Sequence, residues 1–136
     1  VGSVHVRGFR VLGNGLAIID GRPVAHSWNR FTSPGRLMIL ELADIRIQPG
    51  QQAAFDAAIE RGVTTVIAHA QGYRGYKVNK GIENPERYIL QIFWDNLDDH
   101  MVGFRQSPAF AEWRAIVGPF FAGPPVVEHF DLVCKS

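Results

Sequence analysis

The stretch Met38-Ile39-Leu40-Glu41-Leu42-Ala43-Asp44-Ile45-Arg46-Ile47 decides the fold. Successive side chains of a strand point to opposite faces, so Ile39, Glu41, Ala43, Ile45 and Ile47 share one face and Leu40, Leu42, Asp44 and Arg46 the other. Both sets carry Ile or Leu, which predicts a central strand covered on both sides.

Downstream, the Gln48-Pro49-Gly50 break precedes Phe55, Ile59, Val63, Val66 and Ala70 at helical spacing, with Gly72 placed where a helix would end. Tyr73 to Val78 then alternates as a short strand, Gly81 to Pro85 turns, and Arg87 to Trp94 forms another hydrophobic strand. Asp95 or Asn96 caps a short helix carrying His100, Met101 and Phe104. Ser107-Pro108 opens the next helix as N-cap and first-turn proline, and Phe110, Trp113 and Val117 continue it to Gly118-Pro119. Val126 to Val133 closes the chain as a last strand. The order β-α-β-β-α-β is the ferredoxin-like split β-α-β of the α+β class, with a four-stranded antiparallel sheet and both helices on one face. The opposite face needs another cover, because large contiguous apolar patches are rare on monomers. A homodimer with a second sheet is the simplest one.

Upstream, residues 1–37 are rich in glycine and form an extension, and residues 38–136 form the domain. Val4, Val6 and Phe9 could pair with Leu16, Ile18 and Val24 in a hairpin turning at Gly13-Asn14-Gly15, or the extension stays poorly ordered.

The chain has 136 residues, 46% hydrophobic and 20% charged, enough for one core in which roughly two thirds of the unfolded surface is buried. Fourteen Lys and Arg balance thirteen Asp and Glu to a net charge of +1. With the basic residues scattered, no nucleic-acid partner is expected. Apolar runs fall far short of the roughly 20 residues that span a bilayer, so no membrane partner is expected either. The N terminus shows no charged region followed by an apolar core, and the single cysteine, Cys134, offers no internal disulfide. A cytoplasmic protein is expected. No His, Cys, Asp and Glu set has metal-ligand spacing and no glycine-rich loop follows a strand, so no metal or other cofactor is expected.

In this order, Met38-Ile-Leu-Glu with Arg46-Ile-Gln-Pro-Gly, Gly72-Tyr-Arg, Tyr88-Ile-Leu-Gln-Ile-Phe-Trp94, His100-Met-Val-Gly-Phe-Arg-Gln-Ser-Pro108 and Val127-Glu-His-Phe130 resemble the antibiotic biosynthesis monooxygenase (ABM) family of dimeric α+β barrel proteins. The resemblance implies a homodimer and a pocket for a small hydrophobic or aromatic molecule. Family members include cofactor-independent oxygenases of phenolic and quinol-type compounds and haem-degrading oxygenases. The haem-degrading branch pairs a first-strand asparagine with a tryptophan and a later histidine. Ala43 and Phe104 stand at two of those three places, a departure from that pattern.

Trp94 stands where the resembling family often has a tryptophan beside the pocket. It is expected as a flat wall with a fixed N–H donor, or else as a core aromatic. His100 is the candidate base because imidazole titrates near neutrality, against the plainer reading of a solvated or capping histidine. Glu41 is an acid in an apolar strand face and needs a partner, for which His129 or Arg105 is expected. Glu41 would then orient a histidine or hold Arg105. His129 is either a pocket residue or a structural histidine pairing with a neighbouring strand. Tyr76 and Arg105 are candidate substrate contacts, through a hydroxyl and an anion-binding guanidinium. Phe104, Trp113 and Phe121 are candidate lining residues, and Phe55, Phe110 and Phe120 core or lining. Two functions follow: a monooxygenase of a small aromatic or quinol-like molecule, or a noncatalytic dimer that binds a small hydrophobic ligand.

Overall fold

The computed structural model describes residues 10–11, 17–19, 22–24 and 38–136. Contacts divide the chain into two units, Val1–Ser33 and Pro34–Ser136. The first holds a small antiparallel sheet of β1 (Arg10–Val11), β2 (Ala17–Ile19) and β3 (Arg22–Val24), in that order. Val11 lies opposite Ala17 and Ala17 opposite Val24. Val4, Val6, Phe9, Leu16 and the turn at Gly13-Asn14-Gly15 lie outside the described residues.

The second unit contains β4 (Ile39–Arg46), α1 (Gln52–Thr65), β5 (Tyr73–Lys80), β6 (Arg87–Trp94), α2 (Pro108–Val117) and β7 (Val126–Asp131). The strands form one antiparallel sheet in the order β5-β6-β4-β7, the ferredoxin-like arrangement, with β4 central as its two-sided apolar pattern requires. Register places Glu41 between Ile92 and His129, and Ala43 between Leu90 and Val127, on the helix side of the sheet. Ile45, Tyr88, Leu90, Ile92 and Trp94 are buried there against Phe55, Ile59 and Val63 of α1 and Trp113 and Val117 of α2. Each such aliphatic or aromatic side chain contributes roughly 1.5–3 kcal/mol on full burial.

Three local features differ from the sequence reading. The first helix stops at Thr65, and a 3-10 turn, Ile67–His69, carries the chain to Gly72. The hydroxyls of Thr64 and Thr65 donate to the carbonyls of Glu60 and Arg61, and the β-branched run Val63-Thr64-Thr65-Val66 disfavours continued helix. Asn96 stands at the entrance to the next segment, its Oδ1 accepting from the Asp99 N–H at 2.8 Å. That segment, Asp99–Phe104, is a π-helical turn, closed by the Arg105 N–H donating to the His100 carbonyl at 2.9 Å. At α2, Pro108 occupies the first turn, but the Ser107 hydroxyl donates backward to the Phe104 carbonyl at 2.6 Å and does not cap the helix.

Candidate functional site

A cavity of about 260 Å³ lies between the helix side of the sheet and the segments that follow β6. Its floor is Glu41, Ala43 and Ile45 of β4 with Leu90 of β6. Its walls include Ile67, Phe104, Phe110, Trp113 and Phe121. Arg105 and Arg114 complete it on one side, and Pro124, Pro125 and Val127 on another. The titratable groups among the buried lining residues are the Glu41 carboxylate and the His100 imidazole.

Glu41 points into the core because the two-residue period of β4 gives it the face of Ala43 and Ile45. One carboxylate oxygen, Oε2, accepts the indole N–H of Trp94 at 2.7 Å. The other, Oε1, lies 3.4 Å from Nε2 of His100. His100 is held by stacking on Trp94 (ring centroids 5.2 Å apart, 23° between planes) and on Phe104 (6.2 Å, 25°). The wide π-helical turn puts His100 and Phe104 on the same inward side. The second ring nitrogen of His100, Nδ1, lies 2.7 Å from Nε2 of His129 on β7. Glu41, His100 and His129 thus form a continuous chain of titratable groups, two of them buried.

Burial disfavours charge, and it acts on this chain in both directions. It lifts Glu41 from 4.5 to about 7, against the Trp94 N–H and the charge of Arg105, which both favour the carboxylate. It pushes His100 from 6.5 down to about 4, with His129 and Arg105 acting in the same direction. His129 is also lowered, by burial and then by Arg105. At neutral pH both imidazoles are therefore uncharged while Glu41 is near its midpoint. Hydrogen-bond geometry alone assigns two consistent arrangements. With Glu41 ionised, His100 presents Nε2–H to the carboxylate and accepts at Nδ1 from His129. With Glu41 protonated, its proton faces His100 Nε2 and Nδ1–H donates to His129.

The partners of Glu41 are Trp94 and His100, where His129 or Arg105 was expected. His129 is its cross-strand neighbour but bonds His100, and Arg105 acts through its charge. Trp94 is fully buried and does not line the cavity, and its N–H is committed to Glu41. The aromatic wall is supplied by Phe104, Phe110 and Trp113. Tyr76 faces a separate groove between β5 and α1, with Lys80 and Tyr88. Phe104, Arg105, Trp113 and Phe121 do line the cavity. Arg114 is the charged lining residue that the sequence reading passed over. Its signal was its place four residues after Phe110, where helical neighbours meet, and its guanidinium lies 5.9 Å from that ring. Among the described residues, no group of three or more His, Cys, Asp and Glu is arranged to hold a metal ion, and no helix is long and apolar enough to cross a membrane.

Comparison with known proteins agrees with the fold and the position of this cavity-bearing unit. The family model for antibiotic biosynthesis monooxygenase matches residues 38–116. The uncharacterized protein YczJ of Bacillus subtilis (strain 168) is 34% identical over 94 residues, covering 69% of this chain and 98% of the relative. A crystal structure from Bordetella bronchiseptica, described as a candidate antibiotic biosynthesis monooxygenase, is 43% identical with a TM-score of 0.68, covering 72% of this chain and 99% of that one. A Caulobacter crescentus structure of the same description shares the fold at 24% identity and a TM-score of 0.61, over 79% of this chain and 99% of that one. The chain belongs to the antibiotic biosynthesis monooxygenase family.

Proposed function

We propose that the protein is a monooxygenase of a small aromatic or quinol-like molecule, in which the Glu41–His100 pair accepts a substrate proton and dioxygen is reduced by the deprotonated substrate itself. One observation carries this reading: a carboxylate brought to about 7 by burial stands beside a neutral imidazole on the wall of an apolar cavity. A general base works best when its pKa lies near the working pH, and strongly perturbed groups that converge on a cavity are candidates for that role. His100 alone holds a proton weakly, since burial keeps it near 4. An ionised Glu41 beside it supplies the missing proton affinity.

For a ring methylene of the anthrone type, the pair removes a C–H proton and the resulting carbanion gives one electron to dioxygen. The two radicals join in a C–O bond. The returned proton makes the hydroperoxide. The pair then takes the remaining C–H proton from the same carbon as the C=O bond forms and the O–O bond breaks, and passes it to the departing hydroxide, leaving a ketone and one water. One oxygen atom enters the product and the other leaves as water. The apolar walls exclude bulk water from the carbanion.

The proposal includes a homodimer formed through the outer face of the sheet. Leu40 lies there between Phe93 and Phe130, next to Leu42, and Met38, Phe130 and Leu132 are exposed. Asp44, ion-paired to Arg87, marks the polar end of the same face. A second copy covers the apolar end by the reasoning that limits exposed apolar patches.

The test is oxygen uptake above the uncatalysed rate with anthrone or menadiol. His100→Ala is expected to lower it by about 10²–10⁴-fold, the usual contribution of a positioned proton acceptor. Absence of uptake with ligands that still raise the melting temperature would favour the noncatalytic ligand-binding dimer.

A further inference from the structure

The cavity is apolar on most of its wall, yet Arg105 and Arg114 both line it. Each guanidinium lies over the same ring, at 5.7 Å and 5.9 Å from the centroid of Phe110. Phe110 in turn meets Phe104 edge to face at 5.8 Å, so the cationic rim continues directly into the aromatic wall. Among the described residues neither guanidinium has a carboxylate within ion-pair distance, whereas Arg46, Arg74 and Arg87 all do. Arg105 also acts on the inner end of the site, since its charge is felt by Glu41 and both histidines.

We infer that the occupant of this cavity is an aromatic acid of up to three fused rings, its rings against Phe104, Phe110 and Trp113 and its carboxylate held by Arg105 and Arg114. Two planar guanidiniums on one rim suit a carboxylate, which accepts paired N–H donors. Size limits the ring count: about 260 Å³ falls below the roughly 300–1,000 Å³ of pockets for drug-sized ligands, too small for a polycycle much larger than the anthrone skeleton. Charge sets the orientation. The carboxylate belongs at the arginine rim, away from Glu41, which places the ring carbons beside the Glu41–His100 pair. This deepens the monooxygenase reading and rests on it for the reaction, though not for binding.

The test compares 1-hydroxy-2-naphthoate with 1-naphthol, probes that differ by the carboxylate, by calorimetric titration at neutral pH. The acid is expected to bind at least about tenfold more tightly, the equivalent of one charge-assisted hydrogen-bond pair. The double variant Arg105→Gln/Arg114→Gln is expected to bring its affinity down to that of 1-naphthol. Both arginines are exposed, so the fold is expected to persist. Equal binding of the probes, binding of neither, or a preference that survives in the double variant would overturn the inference. Oxygen uptake separates the two claims. A carboxylate preference without uptake of oxygen defeats the monooxygenase reading alone, and uptake with anthrone but no preference defeats the anion site alone.

Discussion

The indole N–H of Trp94 donates to Oε2 of Glu41 at 2.7 Å, across the pairing of β6 with β4. That bond favours the ionised carboxylate and opposes the burial that lifts Glu41 to about 7. Trp94→Phe keeps an aromatic ring beneath His100 and removes the donor. The apparent pKa of Glu41 should therefore rise above that of the parent, read as an upward shift of the midpoint of the pH–rate profile. Leaving a buried carboxylate oxygen unpartnered should also cost about 1–3 kcal/mol in urea unfolding. An unchanged midpoint would mean that the indole does not tune the carboxylate.

Glu41 itself should set the pH dependence of turnover. Proton acceptance requires its ionised form, so kcat/KM should rise with pH through a midpoint near 7. Glu41→Gln keeps the Trp94 contact, removes the titrating group, and should lower the rate by about 10²-fold or more with the rise abolished. A profile still rising near 7 in this variant would assign the titration elsewhere.

Stability should reveal the same pair without any substrate. Glu41 has a folded pKa above its unfolded value, so its contribution is present below about 4.5 and is lost as pH rises through about 7. His100 has a folded pKa below its unfolded value, so the cost of burying it neutral is felt at low pH and disappears as pH rises from about 4 to 6.5. Each effect is on the order of 3 kcal/mol and they have opposite signs, so the wild type should change little between these limits. Glu41→Gln should gain stability as pH rises through this window, and His100→Asn should lose it. Parallel curves for the two variants would contradict the opposed shifts.

The sheet was legible because β4 and β6 obey the two-residue period, which brings Ile45, Tyr88 and Leu90 to the same buried face. The approach of Glu41, Trp94 and His100 to one another was only half legible. Their residue types marked them, yet which atom meets which depends on the register of β4 against β6 and β7. A shift of one residue would turn Glu41 to the other face. The π-helical turn at Asp99–Phe104 has no hydrophobic period that distinguishes it from a short α-helix, so the placement of His100 beside Phe104 could not be read in advance. His129 was ambiguous because β7 is an edge strand with mixed residues on both faces, and only its pairing with Glu41 places it on the helix side.

Gly62 provides the last test, because it links the packing of the helices to the shape of the cavity. It lies within α1, where glycine costs roughly 1 kcal/mol relative to alanine, so its presence calls for a packing reason. A Cβ built at this position would come within 2.7 Å of the Trp113 ring. Gly62→Ala would therefore gain helix propensity and lose more through the clash. A net destabilisation of about 1–3 kcal/mol is expected from overpacking a filled site. Trp113 also lines the cavity, and its rigid ring cannot yield as a flexible side chain would. The substitution should consequently weaken binding of aromatic ligands as well as lower the melting temperature. Thermal unfolding with and without 1-naphthol measures both effects. A variant as stable as the parent, with the same ligand-induced shift, would show that α1 and α2 can separate without reshaping the cavity.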